Sequence, residues 1–215
     1  MEPLVIEGLH HAYIGRGSEG VSLTIRSGEI CALMGPSGSG KSTLLSVILG
    51  ISDPTAGSVS VGGSLVNSLT VRERAALRWK SIGSVQQQPD LLPELTVLEN
   101  VELPLVFDRA LASTATQRAR ELLSAVGLSG HEDQRVDSLS GGEAQRVSIA
   151  RALSRPGLIL LLADEPTAAL DRRSAQRVFD VLRELSASQG VGCLLATHDP
   201  FIADQCDEIQ RLGDA

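Results

Sequence analysis

The sequence predicts an α/β fold, a parallel sheet wrapped by helices, with a mainly helical lobe inserted into it. Three observations carry that prediction. The runs ending at Met34, Ala163 and Ala196 are apolar without alternation, the pattern of central strands covered on both faces. Segments of helical period separate them. Each run opens onto residues with chemistry to offer, Gly35, Asp164 and Thr197, and in parallel sheets ligands sit beyond the strand C-termini.

The elements follow in order. Val5-Ile6 and Val21 to Ile25 read as short strands, split by the turn-rich Gly15-Arg16-Gly17-Ser18. Ser42 to Leu49 reads as a helix stopped by Gly50. From Thr114 to Val126 the apolar positions Ala115, Ala119, Leu122, Leu123 and Val126 share one helical face that ends at Gly127. Another helix is expected after Ser140. Residues 88–157 are therefore expected to form a helical subdomain. Residues 1–87 and 158–215 supply the core and an N-terminal β subdomain.

Composition narrows the function. The chain has 215 residues, 42% apolar and 21% charged, which excludes wholesale disorder. Nineteen lysines and arginines against 26 acids give a net charge of −7 with no long basic run, so no nucleic-acid partner is expected. The longest strongly apolar run, Leu158 to Ala163, is far shorter than the ~20 residues of a membrane-spanning helix. Met1-Glu2-Pro3 opens without the basic and apolar regions of a secretory signal. Cys31, Cys193 and Cys206 are widely spaced with no CxxC, the usage of buried thiols in a reducing cytosol. A soluble, cytoplasmic protein is expected.

Gly35-Pro36-Ser37-Gly38-Ser39-Gly40-Lys41-Ser42, followed by Thr43, fits G-x-x-x-x-G-K-[ST] between a strand and a helix. Glycines let successive N–H groups curl toward phosphate oxygens, and the helix N-terminus adds a positive dipole. Lys41, one of only two lysines in the chain, would bridge the β- and γ-phosphates, and the Ser42 hydroxyl would ligate Mg²⁺. The pattern implies a nucleoside triphosphate. Asp164-Glu165 places two carboxylates at the end of the most apolar strand, a costly arrangement without a cation or hydrogen bonds. Alone the pair also suits a helix cap. Beside a phosphate loop it gives Asp164 the metal and Glu165 the role of base. Leu139-Ser140-Gly141-Gly142-Glu143 reads locally as a capping box, yet two glycines in a first turn are poor helix formers. They make sense where bare backbone must approach a phosphate.

With LSGGE in the company of the other two motifs, the chain resembles an ABC-type ATPase over essentially its whole length. The resemblance implies the family's fold: a P-loop, RecA-like α/β core with an N-terminal antiparallel β subdomain and an inserted α-helical subdomain. It implies ATP and Mg²⁺ as cofactors. It also implies that Tyr13 stacks on adenine, that Gln87 meets Mg²⁺ and the attacking water, and that Asp171 of Ala169-Leu170-Asp171 forms the D-loop. His198 of Thr197-His198-Asp199 would contact the γ-phosphate. Gln86 to Gln88 leave the glutamine's register open, and counting back from Leu91-Leu92-Pro93 favours Gln87. Ser140 to Glu143 of one subunit would close over the phosphate loop of another. Two copies would thus sandwich two ATP molecules, a homodimer docked on an integral membrane permease at the inner face of the cell membrane.

Leu69 to Arg78 and Leu91 to Val101 are similar to the group containing lipoprotein-release, macrolide-export and cell-division ATPases. That similarity implies a transporter subunit, with force transmission to a non-transporting membrane partner as the alternative. Arg72 to Arg78 reads equally as a solvated, charge-paired helix. The chain departs from the family's pattern in a short stretch between Tyr13 and Gly28, in Ser84 and Gln86 where aromatics are frequent, and in Ala168 where serine is common.

Overall fold

The structure is a computed structural model that describes residues 2–14, 20–108 and 111–213. Its strands and helices are β1 (Leu4–His10), β2 (Val21–Ile25), β3 (Ile30–Met34), α1 (Lys41–Ile48), β4 (Ala56–Val61), β5 (Ser64–Leu65), α2 (Val71–Ser81), β6 (Ile82–Val85), α3 (Val97–Val106), α4 (Ala115–Ala125), α5 (Gly141–Ala152), β7 (Leu160–Asp164), α6 (Arg172–Gln189), β8 (Gly192–Thr197), α7 (Pro200–Ala203) and β9 (Glu208–Arg211). They divide into two compact units. The first comprises Met1–Ser84, Gly157–Glu165 and Ser186–Ala215, the second Val85–Pro156 and Pro166–Leu185. The predicted turn at 15–18 lies outside the described residues.

The first unit holds both sheets. One runs β2-β1-β4-β5, antiparallel, and the other β6-β7-β8-β3-β9, with β7, β8, β3 and β9 paired in parallel. Every residue of β3 and β8 is buried, which explains why their sequences do not alternate. β1 instead buries Leu4, Ile6 and Leu9 and faces Glu7 outward, the signature of a sheet with one wet face. α1 inserts Leu44, Leu45, Val47 and Ile48 into a core shared with Leu33, Val59, Val61, Leu160, Leu162 and Leu194. Full burial of a leucine or isoleucine is worth ~1.5–3 kcal/mol, so this aliphatic cluster fixes both sheets against the helix without aromatic help. β7 begins two residues later than its apolar run. The N–H of Ile159 bonds instead to Ser81, and its carbonyl accepts from Gly192.

The second unit is helical. α3, α4 and α5 pack on one another, burying Val97, Val101 and Leu105 against Ala119, Leu122, Leu123, Val147 and Ile149. The apolar face of α4 falls on the five positions its period assigns, all buried. Gly127 then stops the chain at φ 71, where the Leu128 N–H reaches back to Leu123. Three helices start with reciprocal Ser/Thr-x-x-Glu capping boxes: Thr70 with Glu73, Thr96 with Glu99 and Ser140 with Glu143.

Candidate active site

The phosphate loop is shaped by what cannot fit in it. Gly40 stands at φ 96, and a Cβ there would lie 2.8 Å from the Ile14 Cα, so the loop rests on the backbone of the 13–14 segment and only glycine is accommodated. A Cβ on Gly35 would meet the Leu212 carbonyl at 2.7 Å. The curl leaves the Ser39 hydroxyl buried without a hydrogen-bond partner. Pro36, Ser37 and Gly38 are exposed at the rim, and Thr43 lies in the first turn of α1.

Lys41 opens α1 yet is 8% exposed. Its Nζ donates to the Gly35 carbonyl at 2.7 Å and to Pro36 at 3.4 Å, and stands 3.6 Å from Glu165 Oε1. A buried ammonium needs such partners. Ser42, next on the helix, donates its hydroxyl to Asp164 Oδ2 at 2.8 Å.

The ends of β7 and β8 bring the remaining groups together. Asp164 closes β7, and the Glu165 N–H continues the ladder to the Ala196 carbonyl. At Glu165 the backbone turns to φ 50, the only positive φ at a non-glycine residue among the described residues. His198, just past β8, places Nδ1 2.8 Å from Glu165 Oε2 and keeps most of its ring exposed. The two oxygens of Glu165 are thus divided between a lysine and a histidine.

Ser42 and Asp164 present a hydroxyl and one carboxylate, hard oxygen donors already in mutual contact. No cluster of three or more His, Cys, Asp or Glu able to hold a metal exists among the described residues. A sparse oxygen set suits Mg²⁺, which keeps its waters and takes phosphate oxygens rather than a full protein cage. The residues fit that ion.

Tyr13 is 75% exposed, its ring tilted against His11 with centroids 5.7 Å apart. Its face is open to a flat ligand.

Gln87, Ser140 to Glu143 and Asp171 belong to the second unit. Ser140 accepts from the Glu143 N–H and donates its own N–H and hydroxyl to Glu143 Oε2 at 2.9 and 2.6 Å. Those bonds, the hydroxyl first, hold the Glu143 carboxyl below the usual range. A Cβ on Gly142 would press on Ser174 at 3.3 Å, whereas one on Gly141 would meet only the Leu170 side chain at 3.4 Å. Packing therefore explains one glycine of the pair, and Gly141 is the one left bare. Asp171 caps α6, accepting from the Ser174 hydroxyl at 2.6 Å and from the Arg173 and Ser174 N–H groups. Its carboxyl is held low, chiefly by the Ser174 hydroxyl.

Two buried polar side chains escape sequence reading. Gln145 of α5 is 1% exposed and donates Nε2 to the Gln86 carbonyl at 2.9 Å. Asn100 of α3 is fully buried and clasps Leu92 through both its N–H and carbonyl. Each is an amide on an otherwise buried helical stripe, the one signal that marks them.

The family described as ABC transporter matches residues 18–168. The lipoprotein-releasing system ATP-binding protein LolD of Pseudomonas syringae pv. tomato is 46% identical over 194 residues, covering 90% of this chain and 85% of its own. The protein of the same name from Cereibacter sphaeroides is 42% identical over 217 residues, covering 98% and 96%. Among solved structures, a dimeric post-hydrolysis ATP-binding cassette bound to ADP and Pi is 36% identical with a TM-score of 0.82, over 98% of this chain and 94% of that one. CbiO1 from Clostridium perfringens, part of an ABC transporter complex, is 28% identical with a TM-score of 0.86, over 99% and 85%. A strand–loop–helix phosphate cradle, a carboxylate shared between lysine and histidine, and these likenesses lead to one conclusion: the chain belongs to the ABC transporter family, as an ATP-binding, ATP-hydrolysing subunit.

Proposed function

We propose that this subunit powers the release of lipid-modified proteins from a membrane, working as a dimer against a separate permease. The cargo class rests on the lipoprotein-releasing names of its relatives. A dimer is supported by the dimeric cassettes it is similar to. No described helix is long and apolar enough to cross a membrane, so attachment would run through the permease, on the cytoplasmic side.

The observation that carries the mechanism is the sharing of Glu165 between Lys41 and His198. Glu165 accepts the proton of a water attacking the γ-phosphorus in line, as the bond to the β-phosphate breaks. Lys41 exchanges its carbonyl and carboxylate partners for phosphate oxygens, which frees Glu165 for the water. His198 keeps the carboxylate aimed. Ser42, Asp164 and Gln87 would hold Mg²⁺, which neutralises charge on the phosphates when bound. Backbone amides from Gly35 to Thr43 cradle the phosphates, and Tyr13 offers its ring to adenine. Ser140, Gly141, Gly142 and Glu143 of a second copy, with its Asp171, complete each site. The helical subdomain of residues 88–157 carries that signature.

Light scattering on Glu165→Gln tests the dimer: a monomer that dimerises only with Mg·ATP is expected, and a monomer under both conditions would overturn the composite site. Reconstitution with a permease in vesicles carrying a lipid-modified protein tests the cargo. ATP-dependent release supports it; coupled hydrolysis without release points instead to force transmission.

A further inference from the structure

The segment between β6 and α3 carries Gln87, and α5 of the same unit holds it from one side. At its start Gln145 donates to the Gln86 carbonyl at 2.9 Å while 1% exposed. Further along, the Asp90 carboxylate acts electrostatically on the Arg151 guanidinium, six residues from Gln145 on the same helix. The far end is fixed separately, where Asn100 binds Leu92, Leu95 and Thr96 and the Arg135 guanidinium binds the Pro93 and Glu94 carbonyls. Gln87 is therefore the first residue beyond a clamp, and that clamp is a side chain of the helix whose N-terminus is the Ser140 signature.

We infer that Gln145 is a positioning residue for hydrolysis, setting Gln87 through the backbone of Gln86 so that the signature and the glutamine are presented in fixed register. The inference rests on the role proposed for Gln87. Gln145 does not reach nucleotide itself. A peptide carbonyl gripped by a buried amide fixes the plane of the Gln86–Gln87 peptide bond, and with it the direction in which the Gln87 side chain leaves the backbone. Without the donor, the Gln86 carbonyl loses its buried amide partner and the peptide plane is free to rotate toward water. A packing role alone would lower stability and leave turnover per folded enzyme unchanged.

The test is a double-mutant cycle on the full chain, with Gln145→Met, which keeps the volume and removes the donor, and Gln145→Glu, which keeps the shape and turns the donor into a second acceptor. Each is made alone and with Gln87→Ala. Steady-state kcat and KM for Mg·ATP, binding of a fluorescent ATP analogue, and the thermal midpoint are measured. Both single variants are expected to lose kcat on the order of tenfold, with analogue affinity within about twofold of wild type. Neither should deepen the loss already caused by Gln87→Ala. Losses that multiply with that of Gln87→Ala overturn the inference, as does wild-type kcat in both single variants. If one variant does not fold, the other carries the comparison. If both unfold, Gln145 is a stability residue and the inference is overturned. Wild-type kcat in Gln87→Ala overturns the glutamine's own role, and this inference falls with it, an outcome distinct from multiplying losses.

Discussion

His198 Nδ1 and Glu165 Oε2 lie 2.8 Å apart at the ends of neighbouring strands, while Lys41 Nζ approaches the other oxygen of Glu165 to 3.6 Å. The carboxylate is therefore held by a histidine on one oxygen and an ion pair with lysine on the other. A triphosphate offers the lysine an alternative partner of higher charge. Glu165→Gln should lower turnover by ~10²–10⁴ while retaining ATP binding. Phosphate release under saturating Mg·ATP measures the first and equilibrium binding of an ATP analogue the second. Near-wild-type turnover would remove Glu165 from the role of base.

Gly40→Ala places a methyl group against Ile14 at a backbone φ of 96. A stability loss of about 1–3 kcal/mol is expected from the left-handed conformation alone. Nucleotide affinity should fall by more than about tenfold, because the relaxed loop no longer aims its amides. Urea unfolding and analogue titration read the two effects separately. A variant with normal affinity would mean that the cradle tolerates a different curl.

Asn100→Ala leaves the Leu92 N–H and the Leu92, Leu95 and Thr96 carbonyls without their buried amide partner. The expected cost is roughly 2–4 kcal/mol, with faster hydrogen exchange at residues 92–96 than elsewhere. Uniform exchange with unchanged stability would show that water replaces the amide without loss.

Ser140→Ala removes a cap worth ~1 kcal/mol and also the hydroxyl proposed to face a partner's nucleotide. In the Glu165→Gln background it should abolish the ATP-dependent dimer while lowering the thermal midpoint only slightly. A dimer that persists would confine Ser140 to its helix.

Burial pushes the Cys31 thiol up to about 12 and raises Cys193 as well, with desolvation the main cause in both. Both pKa values exceed the unfolded thiol's. Their contribution to stability is therefore complete below pH ~9 and is lost as pH rises toward 12, where the unfolded chain releases protons that the native one retains. Native protein at pH 7.5 should alkylate first at the half-buried Cys206. Mass spectrometry after iodoacetamide checks the order, and alkaline unfolding curves check the sign.

Much of the fold is legible because burial writes itself into residue type. Unbroken apolar runs gave away β3, β7 and β8, and the stripe on α4 gave away a helix that uses all five of its marked positions. β4 and β5 escaped, because Ala56 to Val61 mixes glycine and serines with two valines and resembles a loop until β1 pairs with it. Gly35, Asp164 and His198, proposed to serve phosphate chemistry, are conspicuous since each stands at or just past a strand end. Gln145 and Asn100 are not, because a helical amide acquires meaning only from a carbonyl 59 or 8 residues away. The third dimension supplies that partner.

The left-handed backbone at Glu165 is a local cost that its own side chain offsets. Glycine would relax that conformation by about 1 kcal/mol, yet it would strip the buried Lys41 ammonium of its carboxylate and His198 of its partner, and it would delete the proposed proton acceptor. An engineer who clears strained backbone from this subunit one glycine at a time should therefore expect position 165 to be where the easier turn makes the poorer protein.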